Sequence, residues 1–93
     1  MDDWPFADTP NTASITTRQV LEGAPVLRVT HDADDGSWQF LCDSTDDPAD
    51  ARVVGLGRMF ARDITLGELA DLPEGWQAWR ASPGFPWKRG PSG

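Results

Sequence analysis

The chain has one cysteine, Cys42, one histidine, His31, and no tyrosine among its 93 residues. A lone cysteine excludes an intramolecular disulfide framework. One His and one Cys fall short of the three or four ligands a transition metal requires. There is no CxxC, no GxGxxG, no P-loop and no GxSxG. No run approaches the ~18 apolar residues of a membrane-spanning helix. The opening MDDWPFADTP is acidic and has no apolar core, unlike a secretory signal, so a cytoplasmic location is expected. Basic residues are also scarce, eight against fifteen acids, for a net charge of −7.

The acids are unevenly spread. Residues 1–51 carry eleven acidic and two basic side chains, and residues 52–93 carry four and six. An acidic half repels phosphate backbones, which disfavours nucleic-acid binding by the surface as a whole. Acidity that only keeps a small protein soluble is the plainer reading. The sharper one is a surface that docks a basic partner protein. Five Trp and four Phe offset the modest apolar content of 39%, since each aromatic buries roughly 150–250 Å².

The organising stretch is Ala24 to Asp43, APVLRVTHDADDGSWQFLCD. Asp35-Gly36 between alternating apolar residues is a strong hairpin signal. A two-residue turn there sets His31 opposite Phe40 and Val29 opposite Cys42. Period-two alternation places Leu27, Val29, His31, Ala33, Trp38, Phe40 and Cys42 on the core face. Val26, Arg28, Thr30, Asp32, Ser37, Gln39 and Leu41 fall on the other face. A four-residue loop, Ala33 to Gly36, keeps the same faces.

Residues 1–12 read as a flexible arm, with Trp4 and Phe6 available to clip it to the body. A single domain over 13–89 and a frayed tail over 90–93 complete the division. SITT (14–17) predicts a short edge strand, after which Thr17 caps a helical turn that Gly23 ends. Residues 43–50, DSTDDPAD, form a solvated loop. Residues 52–56 suggest a strand, followed by a helical turn to Ala61 or Arg62. Thr65-Leu66-Gly67-Glu68 matches a capping box, and Trp76 to Ser82 a strand with Trp76, Ala78 and Arg80 on one face. The fold class is therefore α+β: an antiparallel sheet of about four strands built around the 24–42 hairpin, with one or two short helices on one face.

For chemistry, a Cys42–His31 pair is thinkable because the hairpin sets them on one face. Packed core residues are the plainer reading, and no catalytic, cofactor-binding or metal-ligating residue is assigned. The acids Asp32, Asp34, Asp35, Asp43, Asp46 and Asp47, at the two ends of the Ser37–Cys42 strand, are the candidate partner-binding residues. Trp76, Trp79, Arg80 and Trp87 form a second candidate patch. Aromatic and basic groups together suit single-stranded nucleic acid, whereas Trp rings filling the core under Arg stems is the competing account.

Gly23-Ala24-Pro25-Val26, Asp35-Gly36-Ser37-Trp38-Gln39-Phe40, the acidic loop from Asp43 to Asp50 and Leu69-Ala70-Asp71-Leu72-Pro73 together resemble an uncharacterised bacterial α+β domain family. That family is related to predicted immunity proteins of polymorphic toxin systems. The resemblance covers residues 14–75, and the Trp-rich end has no counterpart in it. It implies a binding role and brings no catalytic residues. The expectation is thus a non-enzymatic cytoplasmic protein that binds a basic protein partner, in an oligomeric state the sequence leaves open. The alternatives are a nucleic-acid module using the Trp/Arg end, and a small ligand-binding domain or enzyme using His31 and Cys42.

Overall fold

The computed structural model describes residues 4–45 and 47–92. It is an α+β domain built on one open, mixed sheet of six strands, where the sequence predicts about four antiparallel ones. The elements are β1 (Ala13–Thr17), α1 (Arg18–Leu21), β2 (Arg28–His31), β3 (Trp38–Leu41), β4 (Ala51–Gly55), α2 (Leu56–Arg62), β5 (Trp76–Trp79) and β6 (Lys88–Pro91). Short 3₁₀ segments cover Pro48–Asp50 and Ile64–Leu69. The strand order is β4-β1-β3-β2-β5-β6, and β1 runs parallel to β3 while every other pairing is antiparallel.

The central hairpin takes the longer loop. Asp32 N–H donates to Ser37 O at 2.9 Å and Gly36 N–H to Asp32 O at 3.0 Å, so Ala33–Gly36 is a four-residue loop. A type I′ turn needs left-handed backbone at both central residues. Gly36 has φ 72°, but Asp43 is the one non-glycine residue with positive φ among those described, so Asp35 does not qualify. The register consequently moves by two: His31 faces Trp38 and Val29 faces Phe40. A shift of two preserves the faces, and Val29, Trp38, Phe40 and Cys42 are all buried. Gly36→Ala is expected to cost about 1 kcal/mol, because a Cβ there would be strained at positive φ and 2.9 Å from Glu74 Oε2. A urea titration of the variant measures it.

Val26 departs from the expected alternation. Period-two alternation puts it on the outer face, yet it is buried. Leu27 N–H donates to Leu41 O while Arg28 pairs with that same Leu41, so two residues stand against one. Such a bulge breaks the period-two pattern and turns Val26 inward. β1 was expected at an edge but lies inside the sheet, between β4 and β3. Its inward side chains are polar, and each hydroxyl has a carbonyl to bond: Ser14 Oγ donates to Val54 O at 2.9 Å and Thr16 Oγ1 to Phe40 O at 2.7 Å. Burial of these hydroxyls is tolerable because both are satisfied.

One face of the sheet carries the core. Leu56 and Met59 of α2, Leu66 and Leu69 of the 3₁₀ segment, and Leu72 bury in one cluster with Val29, Phe40 and Ala78. Thr17 caps α1 by accepting from Val20 N–H, and Gly23 ends that turn at φ 124°. The Thr65–Glu68 capping box does not form. Asp63 is the cap, accepting from the N–H and hydroxyl of Thr65, while Glu68 is exposed.

Residues 4–12, expected as part of a flexible arm, lie against this core. Phe6 is buried and meets Trp38 edge-on with ring centroids 5.3 Å apart. Trp4 packs edge-on against Phe60 at 5.7 Å. Trp38 Nε1–H donates to Asp8 Oδ2, and Pro10 O and Thr12 O accept from Gly57 and Leu56 N–H. At the other end, Gly90 and Pro91, expected to fray, belong to β6, and Ser92 N–H donates to Gly75 O. None of the described helices is long and apolar enough to cross a membrane.

Candidate binding surface

The helices and the N-terminal segment pack on one face, which leaves the opposite face of the sheet open. The register places Val53, Ile15, Gln39, Thr30 and Gln77 in one row across it. A second row runs Leu41, Arg28, Trp79 and Lys88. Arg28 ties that row together. Its Nε donates to Asp43 Oδ1 at 3.0 Å and its Nη1 to Gln77 Oε1 at 2.6 Å.

Two hollows flank the Arg28–Asp43 pair. One, of about 360 Å³, is lined by Arg28, Asp43, Trp79, Phe85, Pro86 and Lys88 among others. Phe85 is 58% exposed at its rim. The other, of about 340 Å³, has an apolar floor of Ile15 and Leu41 and includes Gln39, Asp43, Thr45 and Asp47 in its lining. Asp43 is common to both. An aromatic and apolar lining with a few charges suits an inserted apolar or aromatic side chain with a basic neighbour.

The six candidate acids divide into two groups at opposite ends of β3. At the hairpin loop, Asp32 accepts from Gln39 Nε2 at 2.8 Å and from Ser37 Oγ. Asp35 accepts from the hydroxyl and N–H of Ser37, and these bonds hold its carboxyl below the usual range. Asp34 is exposed. At the other end, Asp43 pairs with Arg28, and Asp47 caps the Pro48–Asp50 turn through Ala49 N–H. Asp46 lies outside the described residues. Asp50, which the sequence reading passed over, accepts from Gln19 and Thr45; these bonds lower its pKa, with Arg18 adding to the effect. Much of the acidity is thus engaged in local hydrogen bonds and ion pairs.

The Trp/Arg patch does not stay together. Arg80 is buried: its Nε and Nη2 donate to Val26 O at 3.1 and 2.9 Å, its Nη2 to Asp63 at 2.8 Å, and its Nη1 to Thr65. Its guanidinium lies 4.2 Å from the centroid of the Trp87 ring. Trp76 stands opposite His31 and packs against the core. Of the four residues, Trp79 is the aromatic one lining the open-face cleft. Phe85 and Lys88 complete that cleft, and of the two sequence reading missed Phe85. An aromatic between Pro83-Gly84 and Pro86 was the available signal, since a turn leaves such a ring few ways into the core.

His31 and Cys42 are separated by the observed register. His31 pairs with Trp38, and Cys42 lies four residues further along that strand, about 13 Å away at ~3.3 Å per residue. His31 stacks on Trp38 with centroids 3.9 Å apart, and its Nδ1 lies 2.7 Å from Leu72 O. Cys42 is buried beside Thr17 and Ser44 hydroxyls; burial raises its pKa, but the Ser44 and Thr17 hydrogen bonds outweigh this and lower it. A nucleophilic pair formed from these two is therefore not assembled. Among the described residues, no three His, Cys, Asp or Glu side chains are grouped as a metal would need. Comparison with family models, with curated proteins and with solved structures finds no match to this chain.

Proposed function

We propose that this is a non-enzymatic cytoplasmic domain that binds another protein across the open face of its sheet. The observation carrying the reading is the uncovered face itself, with Trp79 and exposed Phe85 lining a cleft beside Asp43. A partner inserts an apolar or aromatic side chain between Trp79 and Phe85. Its basic rim meets Asp43 and Asp47 at one end of β3 and Asp32, Asp34 and Asp35 at the other. The net charge of −7 accelerates encounter with such a partner. The resemblance to predicted immunity proteins supports a toxin-type protein as that partner, with this chain as its inhibitor.

A photoreactive phenylalanine analogue at Phe85 tests the reading in host cells, with the same analogue at Ile64 as the control. Ile64 is 72% exposed and lies on the helical side. The Phe85 position is expected to give a discrete protein adduct and the Ile64 position none. Asp43→Asn with Asp47→Asn is expected to cut the adduct about tenfold, as the loss of two charge contacts predicts. Asn tolerates the left-handed backbone of Asp43, φ 62°. Equal adducts from both positions, or adducts indifferent to the two acids, overturn the proposal.

A further inference from the structure

The two edges of the sheet are β4 and β6, and they are built differently. The β6 edge reads Lys88-Arg89-Gly90-Pro91, with two charges and a proline that discourage a further strand. The β4 edge reads Ala51-Arg52-Val53-Val54-Gly55, with no proline, and Val53 at its centre is 72% exposed.

The ladder tells which backbone groups β4 leaves free. Leu56 N–H donates to Thr12 O, continuing the register that pairs Val54 with Ser14 and Arg52 with Thr16. Bonded positions alternate in an antiparallel ladder, so residues 52, 54 and 56 point their backbone groups at β1. Residues 51, 53 and 55 therefore point theirs outward. The Ala51 N–H already donates to Pro48 O. The Ala51 carbonyl accepts one bond from Arg52 Nη1 and keeps a second lone pair. This leaves the N–H and C=O of Val53, the N–H of Gly55 and the C=O of Ala51 facing outward.

That pattern is self-complementary. We propose that β4 pairs antiparallel with β4 of a second copy, about a two-fold axis at Val53. Val53 N–H donates to the partner's Val53 C=O, and the partner's Val53 N–H donates to Val53 C=O in return. Gly55 N–H donates to the partner's Ala51 C=O, again reciprocally, which makes four bonds. On the open face the two Val53 side chains meet, each flanked by its own Ile15, its cross-strand neighbour. The sheet becomes continuous over twelve strands. A contact of five residues per copy is small, so the dimer dissociates at micromolar concentrations.

Sedimentation equilibrium from about 10 µM to 1 mM, with amide exchange at both ends of that range, tests the proposal. The weight-average mass is expected to rise towards twice the monomer value. The Val53 and Gly55 amides gain at least tenfold protection as it does. Val53→Lys keeps the fold, because the side chain is largely in solvent, and holds the protein monomeric; Val53→Thr retains the dimer. Each of three results overturns the proposal: a monomer at 1 mM, a dimer that survives Val53→Lys, or a dimer in which the Val53 and Gly55 amides stay unprotected.

Discussion

Arg80→Ala is expected to lower the unfolding free energy by about 3–5 kcal/mol, the range for breaking a buried ion pair from one side. The native protein of this size has only ~5–10 kcal/mol to lose. Three groups are abandoned together. The Val26 carbonyl loses both its guanidinium donors, Asp63 loses its counter-charge, and Trp87 loses the cation stacked on it. Lysine does not substitute, because one ammonium cannot reproduce the planar fork that serves Val26, Thr65 and Asp63 at once. Thermal unfolding of Arg80→Ala and Arg80→Lys checks this, with drops on the order of 15 °C or more for the alanine variant. A fall below 1 kcal/mol would show that Arg80 is not the hub described.

The same cluster sets a pH dependence. Partial burial works against ionisation of Asp63, but hydrogen bonds from Thr65 and Arg80 outweigh it and hold the carboxyl below its usual value. A depressed carboxylate binds fewer protons folded than unfolded, so its contribution is complete above the ordinary carboxylate range near pH 4. It is lost as pH falls below that, through the folded pKa. The stability gap between wild type and Asp63→Asn therefore narrows on acidification.

Phe6→Ala is expected to cost about 3–5 kcal/mol, the usual loss for a buried aromatic. Phe6 is buried against Trp38, Phe60 and Trp4, and the last two are themselves only half covered. Its removal opens a hole beside Trp38 and frees the segment that positions Asp8 on the indole N–H. Deleting residues 1–8 is expected to do at least as much, with exposed apolar surface reported by dye binding. An arm that leaves the urea midpoint unchanged on deletion would sink this account.

The parts of the fold that sequence determined are those set by neighbours within a few residues. Alternation sorted Val29, Trp38, Phe40 and Cys42 to the core, and it held although the register moved by two. The Thr17 cap and the Gly23 stop follow from side-chain and backbone chemistry within one turn. Alternation over Trp76 to Ser82 also groups Trp76, Ala78 and Arg80 on one face, and the structure turns that face inward, with Ala78 and Arg80 buried. What alternation could not show was whether an inward arginine would find partners.

Tertiary structure alone decided the rest. Arg80 is tolerated inside because Val26, 54 residues away, turns a carbonyl towards it, and that carbonyl is placed by a bulge no local pattern announced. β1 lies inside the sheet because Val54 and Phe40 carbonyls accept its hydroxyls across 40 and 24 residues of chain. The acidic loops remain where sequence put them, at the two ends of β3. Only the fold shows that an open sheet face lies between those ends, with a Trp79–Phe85 cleft beside Asp43. Local chemistry sets which way each side chain turns; which chain segments then meet depends on contacts summed over the whole molecule, and these have no signature within a short window.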